Sequence, residues 1–155
     1  MINKIAIIYN KLKNIPGGKF IFSKLIGMAA PYSGTINAKI VHLSNGYAHV
    51  NMADRRKFRN HLNSIHAIAL MNLAELTSGL SLLYTLPVDA RGIVKGLSIK
   101  YFKKARGNLK CECYCNPPEI SERKEYIIIA KIFDKHTDLV AQANACWLIA
   151  PKKNK

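Results

Sequence analysis

One segment constrains the fold more than any other: residues 60–79, NHLNSIHAIALMNLAELTSG, contain an apolar helical run that begins near a histidine and carries one carboxylate, Glu75, in its middle. An ionised carboxyl group in apolar surroundings is costly unless it is hydrogen-bonded, paired or protonated. We therefore expect a buried helix of about twenty residues in which Glu75 has a specific role. Asn63 or Ser64 is its expected N-cap, and Pro87 predicts its end.

The apolar segment is long enough to cross a membrane, but its polar residues argue against that assignment. Within residues 65–86, His66, Asn72 and Glu75 interrupt the run. At the start of the chain the apolar run covers only residues 5–8, which is too short for a secretory signal. We expect a buried central helix, no membrane span and a cytoplasmic protein.

The balance of residue types predicts one globular domain. The chain has 155 residues, of which 49% are hydrophobic and 21% charged, so it can bury a core. An amphipathic stretch at residues 5–28, broken by Pro16-Gly17-Gly18, predicts one or two short helices. We divide the single domain, residues 1–155, into an N-terminal helical segment, 1–34, and a core, 35–151.

Alternating apolar residues predict strands on both sides of the central helix. Residues 35–43 and 47–53 flank Asn45-Gly46, a pair that favours a tight hairpin. After the helix the expected strands share a period of two: 91–104, 107–116, 125–134 and 139–150. A long antiparallel sheet packed on one helix follows, which is an α+β fold.

The cysteines are expected to be core residues. Cys111, Cys113 and Cys115 alternate along one strand face, and Cys146 stands apart. Zinc ligands usually sit two to four residues apart on a turn, with a second ligand pair elsewhere, and the sequence has no such pair. We therefore expect reduced thiols that pack as small apolar groups, and no metal.

The charge indicates anionic partners. Lys and Arg number 24 against 9 Asp and Glu, a net charge of +15, which favours phosphates, nucleic acid or an acidic membrane surface. RNA-binding sheets usually expose aromatics beside their basic residues, whereas only Tyr101 and Phe102 lie near a basic run here. Nucleic acid is thus the less favoured partner, and a basic binding module stays an alternative.

The helix carries a family resemblance. Phenylacetate-pathway-type thioesterases, of the hotdog-fold superfamily, have an Asn, then His-Gly-Gly at the helix start, Leu-Ala-Asp or Glu, and a later Gly. The positions at matching spacing are Asn60, His66, Leu73, Ala74, Glu75 and Gly79. Residues 96–107, GLSIKYFKKARG, also resemble the family strand that ends in an Arg-Pro-Ala-Arg-x-Gly-like turn. The closest likeness is to a function-unassigned branch with a HAxALxNLAE-type helix.

The resemblance implies a hotdog fold, with a long antiparallel sheet wrapped around the central helix, and hydrolysis of an acyl-CoA or acyl-carrier-protein thioester without a cofactor. Backbone N–H groups of His66, Ala67 or Ile68 would hold the developing oxyanion at the helix start. Glu75 would deprotonate water or attack the carbonyl carbon. Asn60 matches the asparagine that precedes the family's helix.

The spacing of the motif predicts an assembly. Glu75 lies nine positions beyond His66, which corresponds to about 13.5 Å of rise and about 900° of rotation on an α-helix. The two side chains then point to opposite faces and cannot serve one carbonyl. The resemblance implies that each site takes its helix start from one subunit and its carboxylate from another, in a homodimer or homotetramer.

Substrate contacts are predicted on both sides of the central helix. Lys103, Lys104 and Arg106 would bind the phosphates of coenzyme A. Thr77 and Ser78 would hydrogen-bond substrate or water, although ordinary helix packing explains such hydroxyls as well.

The helix start departs from the family pattern. Ala67 and Ile68 replace the two glycines that allow close approach of the thioester, and the bulky Ile68 reshapes the acyl entrance. A hotdog protein that binds acyl-CoA or acyl chains without turnover therefore stays open. A purely structural Glu75, satisfied across a subunit interface, also stays open.

Overall fold

An antiparallel sheet of six strands wraps around one long helix in the computed structural model, which describes residues 3–116, 120 and 122–152. The ends of the expected domain, residues 1–2 and 153–155, lie outside the described residues. The elements are α1 (Lys4–Leu12), α2 (Gly18–Ala29), α3 (Pro31–Gly34), β1 (Lys39–Ser44), β2 (Tyr47–Met52), a 3-10 turn (Arg56–Phe58), α4 (Ala67–Thr85), β3 (Ala90–Tyr101), β4 (Leu109–Tyr114), β5 (Lys124–Phe133) and β6 (Leu139–Pro151).

The strands stand in the order β1-β2-β4-β5-β6-β3, so β1 and β3 form the two edges of the sheet. All neighbours pair antiparallel. The expected α+β architecture and all six expected strands are confirmed, with ends that differ by a few residues. β1 begins later than expected because a turn precedes it, with Asn37 at a φ of 49°.

The central helix α4 begins at Ala67, with His66 as its N-cap. The expected caps Asn63 and Ser64 are wrong, because both belong to a separate turn before the helix. Asn63 has a φ of 54°, and the Ser64 carbonyl accepts a hydrogen bond from the Asn60 N–H at 2.8 Å. The far end agrees with the prediction: α4 stops at Thr85, before Pro87.

Helix α4 is the centre of the hydrophobic core, as the sequence predicted. In the part of the chain that the structure describes, it is the one helix long and apolar enough to cross a membrane by length and composition. Its side chains pack against the sheet instead, and Leu73, Ala74 and Leu82 are fully buried. Its apolar character is therefore explained by burial inside the fold.

Helix α4 lies close to the sheet at Gly79. A Cβ atom added there would lie 3.0 Å from the ring of Trp147 on β6. The same indole donates a hydrogen bond from Nε1 to Ser78 Oγ at 3.2 Å. The absence of a side chain at Gly79 therefore allows the short distance between α4 and β6 at this point.

The inner face of β4 carries the cysteines, as predicted. Cys111 and Cys113 are fully buried, Cys115 just beyond the strand is nearly so, and Ser81 Oγ donates to Cys115 Sγ at 3.1 Å. Burial raises the pKa of the Cys111 and Cys113 thiols, so these groups stay protonated. Their role in the core is packing.

Two N-terminal helices cover the outside of β1, with a break at Pro16-Gly17-Gly18 as predicted. Gly18 lies so close to the Leu12 carbonyl that no side chain would fit. The inner faces of both helices are anchored: Tyr9 and Phe22 are buried, and Tyr9 Oη accepts a hydrogen bond from the Leu43 N–H at 3.1 Å. α1 and α2 are therefore an integral part of the fold.

Candidate functional site

The start of α4 offers one unpartnered N–H group among the three expected from the sequence. His66 N–H donates to the Phe58 carbonyl at 2.7 Å, and Ile68 N–H donates to His66 Nδ1 at 3.1 Å. No acceptor for the Ala67 N–H lies among the described residues. Because the first-turn amides of a helix have no partner within the helix, Ala67 N–H can bind a negatively charged oxygen.

A depression of about 250 Å³ lies beside this amide. It is lined by the helix start, the preceding loop and the end of β3, and it brings together the predicted residues Asn60, Ala67, Lys103 and Lys104. Tyr101 Oη donates to the Ala67 carbonyl at 3.3 Å, which links β3 to the helix start. The sequence alone did not identify Tyr101 as a residue of this site.

The Asn60 side chain forms hydrogen bonds within the loop that leads into α4. Its Oδ1 accepts hydrogen bonds from Leu62 N–H at 3.0 Å, Ser64 N–H at 3.2 Å and Ser64 Oγ at 3.1 Å. These contacts fix the turn before the helix, as asparagine often does. A direct contact of Asn60 with substrate stays a prediction.

The three predicted phosphate-binding cations differ in their partners. Lys103 forms ion pairs of 2.7 Å with both Asp134 and Asp138, so its charge is already compensated. Arg106 lies against the Leu62 and Asn63 carbonyls, at 3.4 Å from each. Lys104 is exposed and forms no salt bridge within the described ranges. The geometry favours Lys104 over Lys103 as a phosphate contact.

Glu75 lies half-buried in the middle of α4 and faces α3. Ser33 Oγ donates a hydrogen bond to Glu75 Oε2 at 3.5 Å. Burial raises the pKa of Glu75, and the Ser33 hydroxyl opposes that shift. A carboxylate with a raised pKa is a better proton acceptor near neutral pH than an exposed one.

Asn72 is a polar residue of this helix face for which the sequence analysis predicts no functional role. It is 8% exposed, and its Nδ2 donates to the Tyr32 carbonyl at 3.3 Å. Its Oδ1 is buried and has no hydrogen-bond donor within the described residues, an arrangement that is rare in folded proteins. Because Asn72 stands one turn before Glu75, the two side chains share a face. Burying an amide oxygen without a donor also costs free energy, although less than burying a charged carboxylate, so the same reasoning extends to Asn72.

The two hydroxyl groups predicted to bind substrate, those of Thr77 and Ser78, form hydrogen bonds within α4. Thr77 Oγ1 donates to the Leu73 carbonyl at 2.7 Å, and Ser78 Oγ donates to the Glu75 carbonyl at 2.9 Å. Both residues are fully buried. Hydroxyls on a buried helix face commonly donate to the preceding turn, which accounts for both residues without a substrate. A substrate contact of Thr77 and Ser78 stays a prediction.

The helix start and Glu75 lie far apart along α4 within one protomer. His66 and Ile68 line a second depression, of about 200 Å³, together with Asn72, whereas Glu75 contacts Ser33 further along the helix. The Ala67 amide and the carboxylate are eight residues apart, or about 12 Å of helical rise. One protomer does not bring both groups to a single carbonyl.

The edge strand β3 is the longest exposed edge of the sheet, with twelve residues paired on one side only, to β6. It carries apolar side chains that are open to solvent: Ile93 is 57% exposed, Leu97 39% and Tyr101 47%, with Phe102 just beyond at 56%. Unpaired edges of this kind are templates for pairing with another chain.

Comparison with known proteins gives a family match over most of the chain. The model of the family described as "Domain of unknown function (DUF4442)" matches residues 18–149. No protein of curated function matches this sequence significantly.

Several solved structures have a similar fold. The structural genomics target APC5556 is 27% identical, with a TM-score of 0.79 over 95% of this chain and 98% of that chain. A Pseudomonas aeruginosa protein of unknown function, described as a probable thioesterase, is 22% identical, with a TM-score of 0.74 over 82% and 91%. A mutant thioesterase enzyme from Staphylococcus aureus is 14% identical, with a TM-score of 0.69 over 78% and 99%. The chain thus has the hotdog fold that its helix motif indicated.

Proposed function

This chain belongs to the DUF4442 family and has the hotdog fold, and from that premise we propose that it hydrolyses acyl thioesters carried by coenzyme A or by acyl carrier protein. The observation that carries the proposal is Glu75, a half-buried carboxylate of raised pKa that has no cationic partner within the described residues. Structural neighbours described as thioesterases add support at the level of the fold.

The reaction follows from the two groups on α4. The thioester carbonyl oxygen accepts a hydrogen bond from the Ala67 N–H, aided by the positive end of the helix dipole. Glu75 takes a proton from water, and the water oxygen bonds to the carbonyl carbon. Collapse of the tetrahedral intermediate breaks the C–S bond. The departing thiolate recovers the proton from Glu75, which leaves a carboxylic acid and a free thiol.

We assign the two groups of each site to different subunits of a homodimer. About 12 Å of helical rise separates Ala67 from Glu75 within one protomer, so the carboxylate must come from elsewhere. The unpaired edge and exposed apolar side chains of β3 favour edge-to-edge pairing of two sheets. Tyr101, near the end of β3, is hydrogen-bonded to the helix start, so this pairing would place the site at the interface.

Lys104 is the favoured contact for the phosphates of the carrier. It is exposed in the depression beside Ala67, while Lys103 is neutralised by Asp134 and Asp138. A phosphate there would bind in the positive potential of a chain with a net charge of +15.

Binding of acyl thioesters without turnover is the second candidate function. It is favoured by the helix start, where the His66 ring accepts a hydrogen bond from the Ile68 N–H, so that, within the described part of the chain, Ala67 has the one unpartnered N–H among the three predicted oxyanion donors, His66, Ala67 and Ile68. The Ile68 side chain is 56% exposed and narrows the approach. A largely apolar cavity of about 440 Å³, lined by α2, α3, β1 and Leu76 of α4, would hold an acyl chain in either function.

A thiol-release assay over a series of acyl-CoA chain lengths tests the proposal. We expect turnover by the wild type and none by Glu75→Ala, while Glu122→Ala, an exposed carboxylate on the loop before β5, serves as the matched control. Turnover that survives in Glu75→Ala contradicts the mechanism. Saturable acyl-CoA binding without thiol release by the wild type would establish the binding function instead.

A further inference from the structure

The two N-terminal helices expose an unusual number of apolar side chains. Six of them, each 42–76% exposed, define what we call the N-terminal apolar surface: Ile7, Ile8, Phe20, Ile21, Leu25 and Met28. On α2, Ile21, Leu25 and Met28 follow the spacing i, i+4, i+7, which places them on one helix face. Exposed apolar side chains grouped on one helix face mark an interaction site.

This exposed face is not the consequence of a loosely packed segment. The opposite sides of both helices are anchored, with Tyr9 and Phe22 in contact at a ring-centroid distance of 5.1 Å inside the core. Ser23 Oγ also accepts a hydrogen bond from the Ile40 N–H at 2.9 Å, which ties α2 to β1. The fold therefore presents the apolar face on a fixed support.

The segment that carries the apolar surface is rich in lysines, none of which forms a salt bridge within the described residues. Five of them lie on the same two helices and the loop between them: Lys4, Lys11, Lys13, Lys19 and Lys24. The first acidic residue of the whole chain is Asp54. On α2, Lys24 stands four residues after Phe20 and four before Met28, so cation and apolar groups share one face.

We propose that the N-terminal apolar surface docks on an anionic phospholipid bilayer. Apolar side chains flanked by lysines are the pattern that binds the boundary between headgroups and acyl chains. Phe20, Leu25 and Met28 enter that boundary, while Lys19 and Lys24 contact the phosphates. Helix α2, with twelve residues, is about 18 Å long and too short to span the hydrocarbon core, so it lies parallel to the surface.

The charge pattern selects a lipid surface over a second copy of the chain. Self-association through this face would bring five lysines against five lysines with no acid on the helices to offset them. Nucleic acid would satisfy the lysines but leave the aliphatic side chains in contact with a polar backbone. An anionic bilayer offers phosphates to the lysines and an apolar interior to the aliphatic side chains. This inference does not depend on thioester hydrolysis.

Co-sedimentation with vesicles tests the proposal on the full chain. We expect binding to equimolar phosphatidylcholine and phosphatidylglycerol, and a fall of at least about tenfold on phosphatidylcholine alone. Leu25→Ser with Met28→Ser, and separately Lys19→Glu with Lys24→Glu, should each reduce binding to the mixed vesicles by about tenfold or more. Ile127→Ser and Lys131→Glu, exposed positions on β5, are the matched controls and should bind as the wild type does.

Three outcomes would overturn the proposal. The first is absence of wild-type binding to the mixed vesicles, with circular dichroism showing a folded protein. The second is equal loss in the β5 controls, which would mean that the overall charge alone attracts the protein. The third is a concentration-dependent assembly of the wild type that the Leu25→Ser, Met28→Ser variant loses, which would assign the surface to self-association.

Discussion

Ser33 on α3 donates a hydrogen bond to the carboxylate of Glu75 on α4, at 3.5 Å and across 42 positions of sequence. The contact brings a hydroxyl to a carboxylate whose pKa burial has raised. A donated hydrogen bond favours the charged form, so Ser33 limits the size of that rise. The short helix α3 therefore takes part in setting the protonation of the proposed base.

Replacing Ser33 with alanine should shift the pH dependence of thioester hydrolysis. Loss of the donated hydrogen bond raises the pKa of Glu75 further, so the acidic limb of kcat/KM against pH should move to higher pH. Ser44→Ala, at the last residue of β1 and next to the turn whose Gly46 N–H donates to Thr85 at the C-terminal end of α4, is the control. An unchanged acidic limb in Ser33→Ala would show that Glu75 does not limit the reaction.

Replacing Glu75 with glutamine should abolish activity and stabilise the fold above acidic pH. A general base contributes about 10²- to 10⁴-fold to the rate. Because burial raises the folded-state pKa of Glu75, the protonated form stabilises the fold below the unfolded-state pKa, and this contribution is lost as pH rises through the folded-state value. Urea unfolding at several pH values should show that the advantage of Glu75→Gln grows with pH. A constant difference would contradict the pKa shift.

Replacing Ala67 with proline should remove the oxyanion donor and leave the helix intact. Ala67 is the first residue of α4, where proline is well tolerated, and His66 before it has the extended backbone that proline requires. Loss of one oxyanion donor should lower kcat by about 10²- to 10³-fold with an unchanged circular dichroism spectrum. Ala67→Ser retains the N–H and should retain most activity. Full activity in the proline variant would place the oxyanion elsewhere.

Mixing two inactive variants should restore activity if each site is shared between subunits. In a heterodimer of Ala67→Pro and Glu75→Gln, one site has both defects and the other has neither. Random exchange of subunits should then recover about a quarter of the wild-type rate. Complementation is measured after the variants are unfolded and refolded together. No recovery in a proven heterodimer would mean that both groups act within one subunit.

Replacing Gly79 with alanine should destabilise the protein because the new methyl group would lie 3.0 Å from the Trp147 ring. Overpacking exceeds the gain in helix propensity, and we expect a net loss of about 1 kcal/mol in the free energy of unfolding. Gly96→Ala, whose Cβ would meet only Cys146 at 3.9 Å, is the control. In a Trp147→Phe background the penalty of Gly79→Ala should disappear, as a double-mutant cycle can measure.

Periodicity was sufficient to predict the six strands and the central helix, because most strands turn one row of apolar residues towards the core that surrounds α4. The first and last residues of helices and strands were harder to predict, because an uncommon residue can take the capping position that a common capping residue nearby would be expected to fill. His66 caps α4 through its ring nitrogen, whereas the better-known capping residues Asn63 and Ser64 belong to the preceding turn. The start of β1 was missed because the chain continues beyond Gly34 in a turn, closed by a hydrogen bond from the Asn37 N–H to the Gly34 carbonyl at 3.0 Å, and Asn37 has a positive φ that no glycine signals.

The candidate site was predicted less completely than the fold. The cost of burying charge identified Glu75, but its partner Ser33 lies 42 positions away and no local pattern connects the two. Lys103 was chosen by its neighbours in sequence, while Asp134 and Asp138 neutralise it from the β5–β6 connection. Thr77 and Ser78 were assigned to substrate because sequence does not tell which face of a uniformly apolar helix meets the sheet.

The strand order affects how the chain folds while it is being synthesised. β3 pairs only with β6, so Ala90–Tyr101 emerges from the ribosome well before its one partner in the sheet, Leu139–Pro151, exists. Until then the nascent chain carries an apolar strand with both edges bare, and contacts of such long sequence separation form slowly. We infer that interruption of translation before β6 leaves a product prone to aggregate rather than a smaller folded protein.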